Sequence, residues 1–338
     1  MENVTFAPSE FILDCLNHSD HRSLITMFLF VGFLLLLLIT LTTNLLILFL
    51  VLLDHRLNTP MYFFFCNLSI LDILTATSII PKLLVVLSGH DKTISFAACF
   101  GQMYFIVSFG STENYLVAAM AYDWYIAVVK PLHYNVIINF KKCMLIMMIV
   151  WILGFLIPLV FLILAINLPY CASNRIMHCF CDYPSVISLA CADITDHVNG
   201  SFGVALIAIY VPLLFVLWTY VRIIISVLKL KSTASLAKAF SMCSSHMTVV
   251  LMYYVASSVV YAGLKIEGIS YDGRIFIGGL NYFLMPMVNP MIYSLRNEKM
   301  KEAAQRYIHL KFLFPQNAKN SIKGKVKVLP KNGITSST

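Results

Sequence analysis

The sequence predicts an all-α membrane protein, a seven-helix bundle, on three observations. Of 338 residues, 59% are hydrophobic and only 12% are charged, with a mean hydropathy of +0.82; an average soluble protein carries roughly 25% charged residues. Seven apolar blocks follow one another, each long enough for the ~20 residues a spanning helix needs. The connections between them are too short for a sizeable soluble domain. This composition excludes disorder, collagen and a small disulfide scaffold. It also leaves too little charge to coat a soluble enzyme. The apolar runs are continuous, unlike the alternating ten-residue strands of a membrane barrel, and no repeat of fixed period is present.

Read in order, the spans cover about residues 24–53, 60–87, 97–123, 142–165, 198–228, 239–263 and 274–294. The first is the purest, with no charge from Leu24 to Leu53. Residues 1–22 carry Glu2, Glu10, Asp14 and Asp20, the wrong flank for a cleavable signal peptide, so the first span is expected to direct insertion. After the seventh span, 295–312 reads as a short amphipathic eighth helix on the inner leaflet, with Met300, Ala303, Ala304, Tyr307 and Ile308 on one face. No Cys follows Cys243, so palmitate cannot anchor it. The divisions are thus an extracellular tail (1–23), a transmembrane domain (24–294), the juxtamembrane helix (295–312) and a basic, disordered cytoplasmic tail (313–338), which is attracted to anionic lipid.

Orientation follows from Lys and Arg. Eighteen fall on one side: Arg56, Lys130, Lys141, Lys142, Arg222, Lys229, Lys231, Lys238 and ten from Arg296 to Lys331. Six (Arg22, Lys82, Lys92, Arg175, Lys265 and Arg274) fall on the other. The N-terminus is therefore expected outside and the C-terminus in the cytoplasm. The +8 net charge is a topological signal and calls for no nucleic acid. Sequons at Asn3 and Asn17 lie in the outer tail, and a third at Asn199 lies at the outer end of the fifth span. A fourth match, at Asn67, is inside the second span, where no glycan can be attached.

Nine cysteines are present. Cys99, Cys171, Cys179, Cys181 and Cys191 fall at the outer end of the third span or in the long outer loop 166–197, an oxidising compartment that permits disulfides. Five is odd, so at least one thiol of this group is left over, and spacing alone assigns no connectivity. Cys66, Cys143 and Cys243 read as packing residues. The run from His178 to Asp182 has metal-ligand chemistry, but a bridged Cys181 would remove it, and no metal is expected. His246, at the inner end of the sixth span, reads as a fixed polar contact.

Polar groups inside spans are functional candidates because burying them costs several kcal/mol. Asn44, Asp72 and Glu113 fall at a common depth, roughly 15–18 Å from the inner face at ~1.5 Å per residue. Asn289 on the seventh span lies slightly nearer the inside. Two carboxylates in one dry layer do not both ionise freely, so either one keeps a proton or a cation bridges them. Na+ near Asp72 and Glu113 is the one cofactor candidate. The layer reads as a polar switch between an outer pocket and an inner face, or else as a hydrogen-bonded structural network without an ion.

Four stretches carry a family resemblance. Leu57-Asn58-Thr59-Pro60-Met61-Tyr62-Phe63-Phe64 with Leu68-Ser69-Ile70-Leu71-Asp72 resembles the second-helix start of vertebrate olfactory receptors. Met120-Ala121-Tyr122-Asp123-Trp124-Tyr125, continuing to Pro131-Leu132-His133-Tyr134, resembles their third-helix signature. Lys238-Ala239-Phe240-Ser241-Met242-Cys243-Ser244-Ser245-His246 resembles their sixth-helix start. Pro286-Met287-Val288-Asn289-Pro290-Met291-Ile292-Tyr293-Ser294-Leu295-Arg296-Asn297 resembles their seventh-helix end. In order and at family spacing, these motifs cover the chain from the first helix to about residue 310. The chain is thereby identified as similar to the tetrapod-type branch of the rhodopsin-like G-protein-coupled receptors. The tail beyond residue 312 is longer than is usual there.

The resemblance implies bridges Cys99–Cys181 and Cys171–Cys191, with Cys179 free. It implies a multi-pass plasma-membrane receptor for small volatile odorants, coupled to a heterotrimeric stimulatory G protein of the olfactory type that raises cAMP. The implied ligand set is Val107, Gly110, Ser111, Val204, Ala208, Tyr254, Ser257, Tyr261 and Tyr282, an apolar pocket with a few hydroxyls to orient a ligand. Tyr293 joins the polar layer, and Asp123, Trp124, Tyr125 and Tyr220 form the implied G-protein face. Odorant, G protein and membrane lipid are the expected partners.

Three departures stand out. Thr43 precedes Asn44 where the family has Gly, and Val255 follows Tyr253 and Tyr254 where it has Gly. Trp124 stands where the family and its superfamily have Arg. That Arg ties the inner ends of helices three and six at rest and meets the G protein on activation, and an indole can do neither by charge. The alternative function is therefore a receptor-shaped protein that binds ligand but couples poorly. A retinal protein is disfavoured because Ile275–Ser294 contains no Lys, a transporter because no repeat is seen, and an enzyme because no nucleophile–base pair stands out.

Overall fold

The computed structural model describes residues 8–15, 22–171, 173–229, 247–255, 258 and 279–308. Asn3, Asn17, His246, Cys243, Ser257, Tyr261, the stretch 238–246 and the tail 313–338 lie outside them.

Five long helices carry the fold: α1 (Arg22–Leu53), α2 (Pro60–Leu87), α3 (Phe96–Val129), α4 (Phe140–Ile166) and α5 (Thr195–Leu228). Residues 247–255 are helical, and a π-helical turn at Leu280–Leu284 leads into a helix at Met285–Arg296 and another at Glu298–Ile308. Local chemistry places the starts. Pro60 occupies the first turn of α2, where its missing N–H is not needed. Ser95 caps α3 by accepting from the Ala98 amide, and Asn139 caps α4 by accepting from that of Lys142.

Four of the described helices, Leu24–Leu53, Pro60–Leu87, Phe140–Ile166 and Thr195–Leu228, are long and apolar enough to cross a membrane. Large apolar side chains such as Phe28, Leu35, Leu156 and Leu214 are exposed on α1, α4 and α5, as suits helices surrounded by lipid. The third apolar block extends past Asp123: α3 continues through Trp124–Val129 and stops before Pro131. It packs against α2, α4 and α5 and is the central helix. Gly154 of α4 lets that helix close on α3, because a Cβ there would strike the Thr112 side chain and come within 2.9 Å of its Cα.

The end of the bundle at which α3 begins holds a three-stranded sheet that the apolar pattern did not predict. Glu10–Leu13 (β1) is its middle strand, antiparallel to Thr93–Ser95 (β2) and parallel to Arg175–Ile176 (β3). Phe11 is fully buried, its ring among Phe96, Phe100 and Tyr170. Part of the expected tail is thus woven into the fold.

Candidate functional site

The site begins at α3, whose buried residues face several neighbouring helices. Asp72 and Glu113 are 1% and 7% exposed, on α2 and α3. Asn289, fully buried, donates through one Nδ2 to Asp72 Oδ1 and to Glu113 Oε1, each at 3.0 Å. Three helices therefore meet at one amide. Asn44 joins by a separate contact, donating to the Pro286 carbonyl at 2.9 Å and to that of Thr40 at 3.0 Å. Tyr293, 4% exposed, packs its ring at a tilt against Phe65, the centroids 4.6 Å apart. Asp72 Oδ2, Asn44 Oδ1 and Asn289 Oδ1 are buried without a hydrogen-bond partner among the described residues, leaving capacity for a proton, a water or a cation.

On the outer side of this layer, Tyr254 donates its hydroxyl to Asn114 Oδ1 at 2.6 Å. Asn114 Nδ2 in turn donates to the Ala208 carbonyl of α5. Tyr253 donates to the Gly110 carbonyl at 2.8 Å. The ring of Tyr282 comes within 4.0 Å of where a Cβ on Gly110 would stand. Gly110, Ala208, Tyr254 and Tyr282 are thus brought together around α3. Val107 and Ser111, one turn apart on α3, are half-buried on either side of Gly110. Val204 is 36% exposed on α5. Asn114 was missed as a sequence candidate. Its signal, an amide beside Glu113 in an apolar span, was overshadowed by the carboxylate.

At the inner end, Asp123 is 3% exposed and its Oδ1 accepts from Tyr134 at 2.8 Å. No Lys or Arg pairs with it among the described residues. Trp124 is 8% exposed and belongs to the core, with Tyr125 and Tyr220 also buried. Tyr125 packs at a tilt against Trp218, the ring centroids 5.3 Å apart. The Glu298–Ile308 helix buries Met300, Ala303 and Ala304. Arg306 reaches Asp54 at 2.8 Å and Tyr307 donates to the Leu53 carbonyl at 3.1 Å, tying this helix to the inner end of α1. Tyr62 donates to Asn297 at 2.9 Å across the same corner.

The outer disulfides correct one expectation. Cys99–Cys181 and Cys171–Cys191 are present, but Cys179 is not free: it is bonded to Cys15, with the two Cα atoms 4.3 Å apart. Counting the outer thiols within the loop and the third span alone gave five. Cys15, carried in by β1, makes six, and all six pair. With Cys179 and Cys181 both bridged, the His178–Asp182 run offers no thiolate to a metal, and no metal-competent cluster occurs among the described residues. Burial pushes the His178 imidazole below its ordinary range, opposed by nearby Asp182. Burial pushes Asp182 up, opposed by His178.

A family model described as olfactory receptor matches residues 33–311. Human olfactory receptor 6N1 is 42% identical over 289 residues, 85% of this chain and 92% of its own length. Human olfactory receptor 10A5 is 40% identical over 302 residues, 89% and 94% of the two chains. Human olfactory receptor 6C3 is 39% identical over 308 residues, 91% and 97% of them.

Proposed function

We propose that this chain, which belongs to the olfactory receptor family of membrane proteins, binds small, mostly apolar odorants among its helices and activates a stimulatory, olfactory-type G protein that raises cAMP. The family consists of receptors and not enzymes. The observation that carries the reading is the link from Tyr254 through Asn114 to Ala208. It joins three helical segments directly beside Gly110 and Tyr282. A ligand that contacts Val107, Gly110, Ser111, Val204, Ala208, Ser257, Tyr261 or Tyr282 gains apolar burial and one or two hydroxyl partners. If it displaces the Tyr254 ring, it breaks a bond buried between helices.

From there the signal passes inward through the polar layer. Asn289 holds Asp72 and Glu113 together in this state, so a shift of the seventh helix relative to α2 and α3 must break one of its two bonds. The free Oδ2 of Asp72 and the second carboxylate fit a monovalent cation such as Na+, which would supply charge neutralisation. The inner face is Asp123, Trp124, Tyr125 and Tyr220. In the membrane, the N-terminus lies outside with glycans at Asn3 and Asn17, and the C-terminus lies in the cytoplasm. The Glu298–Ile308 helix rests on the inner leaflet, and the basic tail follows it. The compartment is the plasma membrane.

A second reading is favoured by one contact. Asp123 is partnered by Tyr134 and, among the described residues, by no Lys or Arg, so the receptor binds ligand but couples weakly because Trp124 replaces Arg. Expression at a cell surface with a cAMP reporter and an odorant panel, with Trp124→Arg in parallel, tests both. An odorant-evoked rise in the natural chain supports the first reading. A rise only in Trp124→Arg supports the second. Silence of both, with both at the surface, would overturn the cAMP assignment.

A further inference from the structure

We propose that Phe180 is a specificity-determining wall at the outer mouth of the ligand site, held in place by the disulfides on either side of it. The inference rests on the pocket reading above and adds a residue and a selection rule to it. Phe180 is 1% exposed. Its ring meets Tyr282 edgewise at 5.8 Å and Phe283 at 6.1 Å, and the His178 ring closes on it at 4.3 Å. Tyr282 in turn reaches to within 4.0 Å of a Cβ position on Gly110. A line of side chains therefore runs from the outer loop to α3, with Phe180 the ring that meets Tyr282 and His178 packed behind it.

What distinguishes Phe180 is how its backbone is held. Cys179 is bonded to Cys15 at the end of β1, and Cys181 to Cys99 on α3. The Cys181 amide donates to Gln102 Oε1 at 3.0 Å, and Gln102 Nε2 donates to the Ser78 carbonyl of α2 at 2.8 Å. β1 is itself the central strand of the outer sheet. The N-terminal strand, the loop and α3 thus form one covalently continuous strap across the outer end. A loop aromatic with free neighbours can swing aside at the cost of a rotamer change, but Phe180 is bridged at both neighbours and cannot leave with its backbone. The wall is rigid, and it selects compact ligands against bulky ones.

The test uses the full-length receptor at the cell surface and needs no known odorant. Ser111→Cys places a thiol in the proposed pocket. Its modification rate from outside, in excess of that of the receptor with Ser111 intact, is measured with aminoethyl methanethiosulfonate and with the bulkier benzyl methanethiosulfonate. Adding Phe180→Ala is expected to raise the benzyl rate about tenfold and the aminoethyl rate much less. Adding Cys15→Ser and Cys179→Ser together, which keeps the ring but frees its neighbour, is expected to raise the benzyl rate by a smaller factor. If Phe180→Ala does not reach the surface, Phe180→Leu serves with the same expected sign. Unchanged rates for both reagents in the Phe180 variant would overturn the proposal while leaving the pocket standing. A Ser111→Cys thiol that neither reagent reaches in any background would overturn the pocket reading, and the proposal with it.

Discussion

The hydroxyl of Tyr134 donates to Asp123 Oδ1 at 2.8 Å, so the acid next to Trp124 is held by a tyrosine from the same signature stretch. The bond joins the inner end of α3 to the short helical turn Tyr134–Ile137. Tyr134→Phe should therefore lower the thermal stability of the purified receptor, by about 1 kcal/mol for a net hydrogen bond to a buried acid. Trp124→Arg gives Asp123 a second partner, so the penalty of Tyr134→Phe should shrink in that background. A double-variant cycle with no coupling between the two positions would show that Asp123 does not choose between them.

Asp72, Glu113 and Asn289 predict a graded loss. Asp72→Asn removes an acceptor charge and keeps the shape, while Asn289→Ala removes both hydrogen bonds and leaves two buried carboxylates facing each other. The second should be worse: surface yield should fall more for Asn289→Ala than for Asp72→Asn or Glu113→Gln, because unpartnered buried polar groups cost about 1–3 kcal/mol each. The two single-carboxylate variants should alter ligand-evoked signalling in receptor that does reach the surface. Wild-type maturation and signalling in all three would reduce the layer to filler.

The third disulfide makes a prediction that does not depend on signalling. Non-reducing peptide mapping should recover Cys15 linked to Cys179. Cys15→Ser should cost about 2–4 kcal/mol of stability, in the range for loss of a native bridge. Recovery of a free Cys179 thiol would return the outer loop to two bridges.

His178 predicts a pH response. Its folded-state pKa lies below the ordinary 6.5 because burial disfavours the cation. The unfolded chain therefore takes up the proton first as pH falls. The stability this neutral histidine contributes is complete above 6.5 and is lost as pH drops below it towards the folded value. Asp182 works the other way, because its raised pKa means that acid relieves a buried charge. His178→Gln separates the two: the variant should lose less stability between pH 7 and 5 than the natural chain. Parallel melting-temperature profiles for the two proteins would mean that His178 does not titrate in this window.

The long helices were legible because each is a mostly apolar run of spanning length, whereas the caps Ser95 and Asn139, which start α3 and α4 a residue or two earlier than the apolar pattern does, are visible only in the structure. The shortfall at α3 has a plain cause: Asp123 looks like the membrane edge, yet it is buried by Tyr134 and the helix runs on through apolar Trp124–Val129. The outer sheet was not legible. β1 is four residues long and pairs with segments about 80 and 160 residues away in sequence, so no local periodicity announces it. Cys15 inherits that difficulty, because only the strand brings it to Cys179. In the polar layer, residue type and depth picked out Asp72, Glu113 and Asn289. Asn114 needed the packing of α3 against α5 and residues 247–255 to reveal its role.

Tyr254 makes the last prediction, and it separates packing from signalling. Its ring is 4% exposed and its hydroxyl is 2.6 Å from Asn114 Oδ1. Tyr254→Phe keeps the ring and removes only the bond, whereas Tyr254→Ala removes both. If the bond restrains the resting state, Tyr254→Phe leaves Tyr253 on Gly110 as the hydrogen bond described between the segment 247–255 and α3, and should raise basal cAMP while reaching the surface normally. Tyr254→Ala also opens a hole where an aromatic side chain was, at a cost of about 3–5 kcal/mol, so its surface yield should fall. Asn114→Ala should raise basal cAMP as Tyr254→Phe does, and the two together should do no more than either alone, because both cut one bond. An additive rise would mean that each residue acts through a different partner. Odorant dose–response and basal activity both at wild-type level in Tyr254→Phe and Asn114→Ala would remove the bond from the mechanism and leave Tyr254 as core packing.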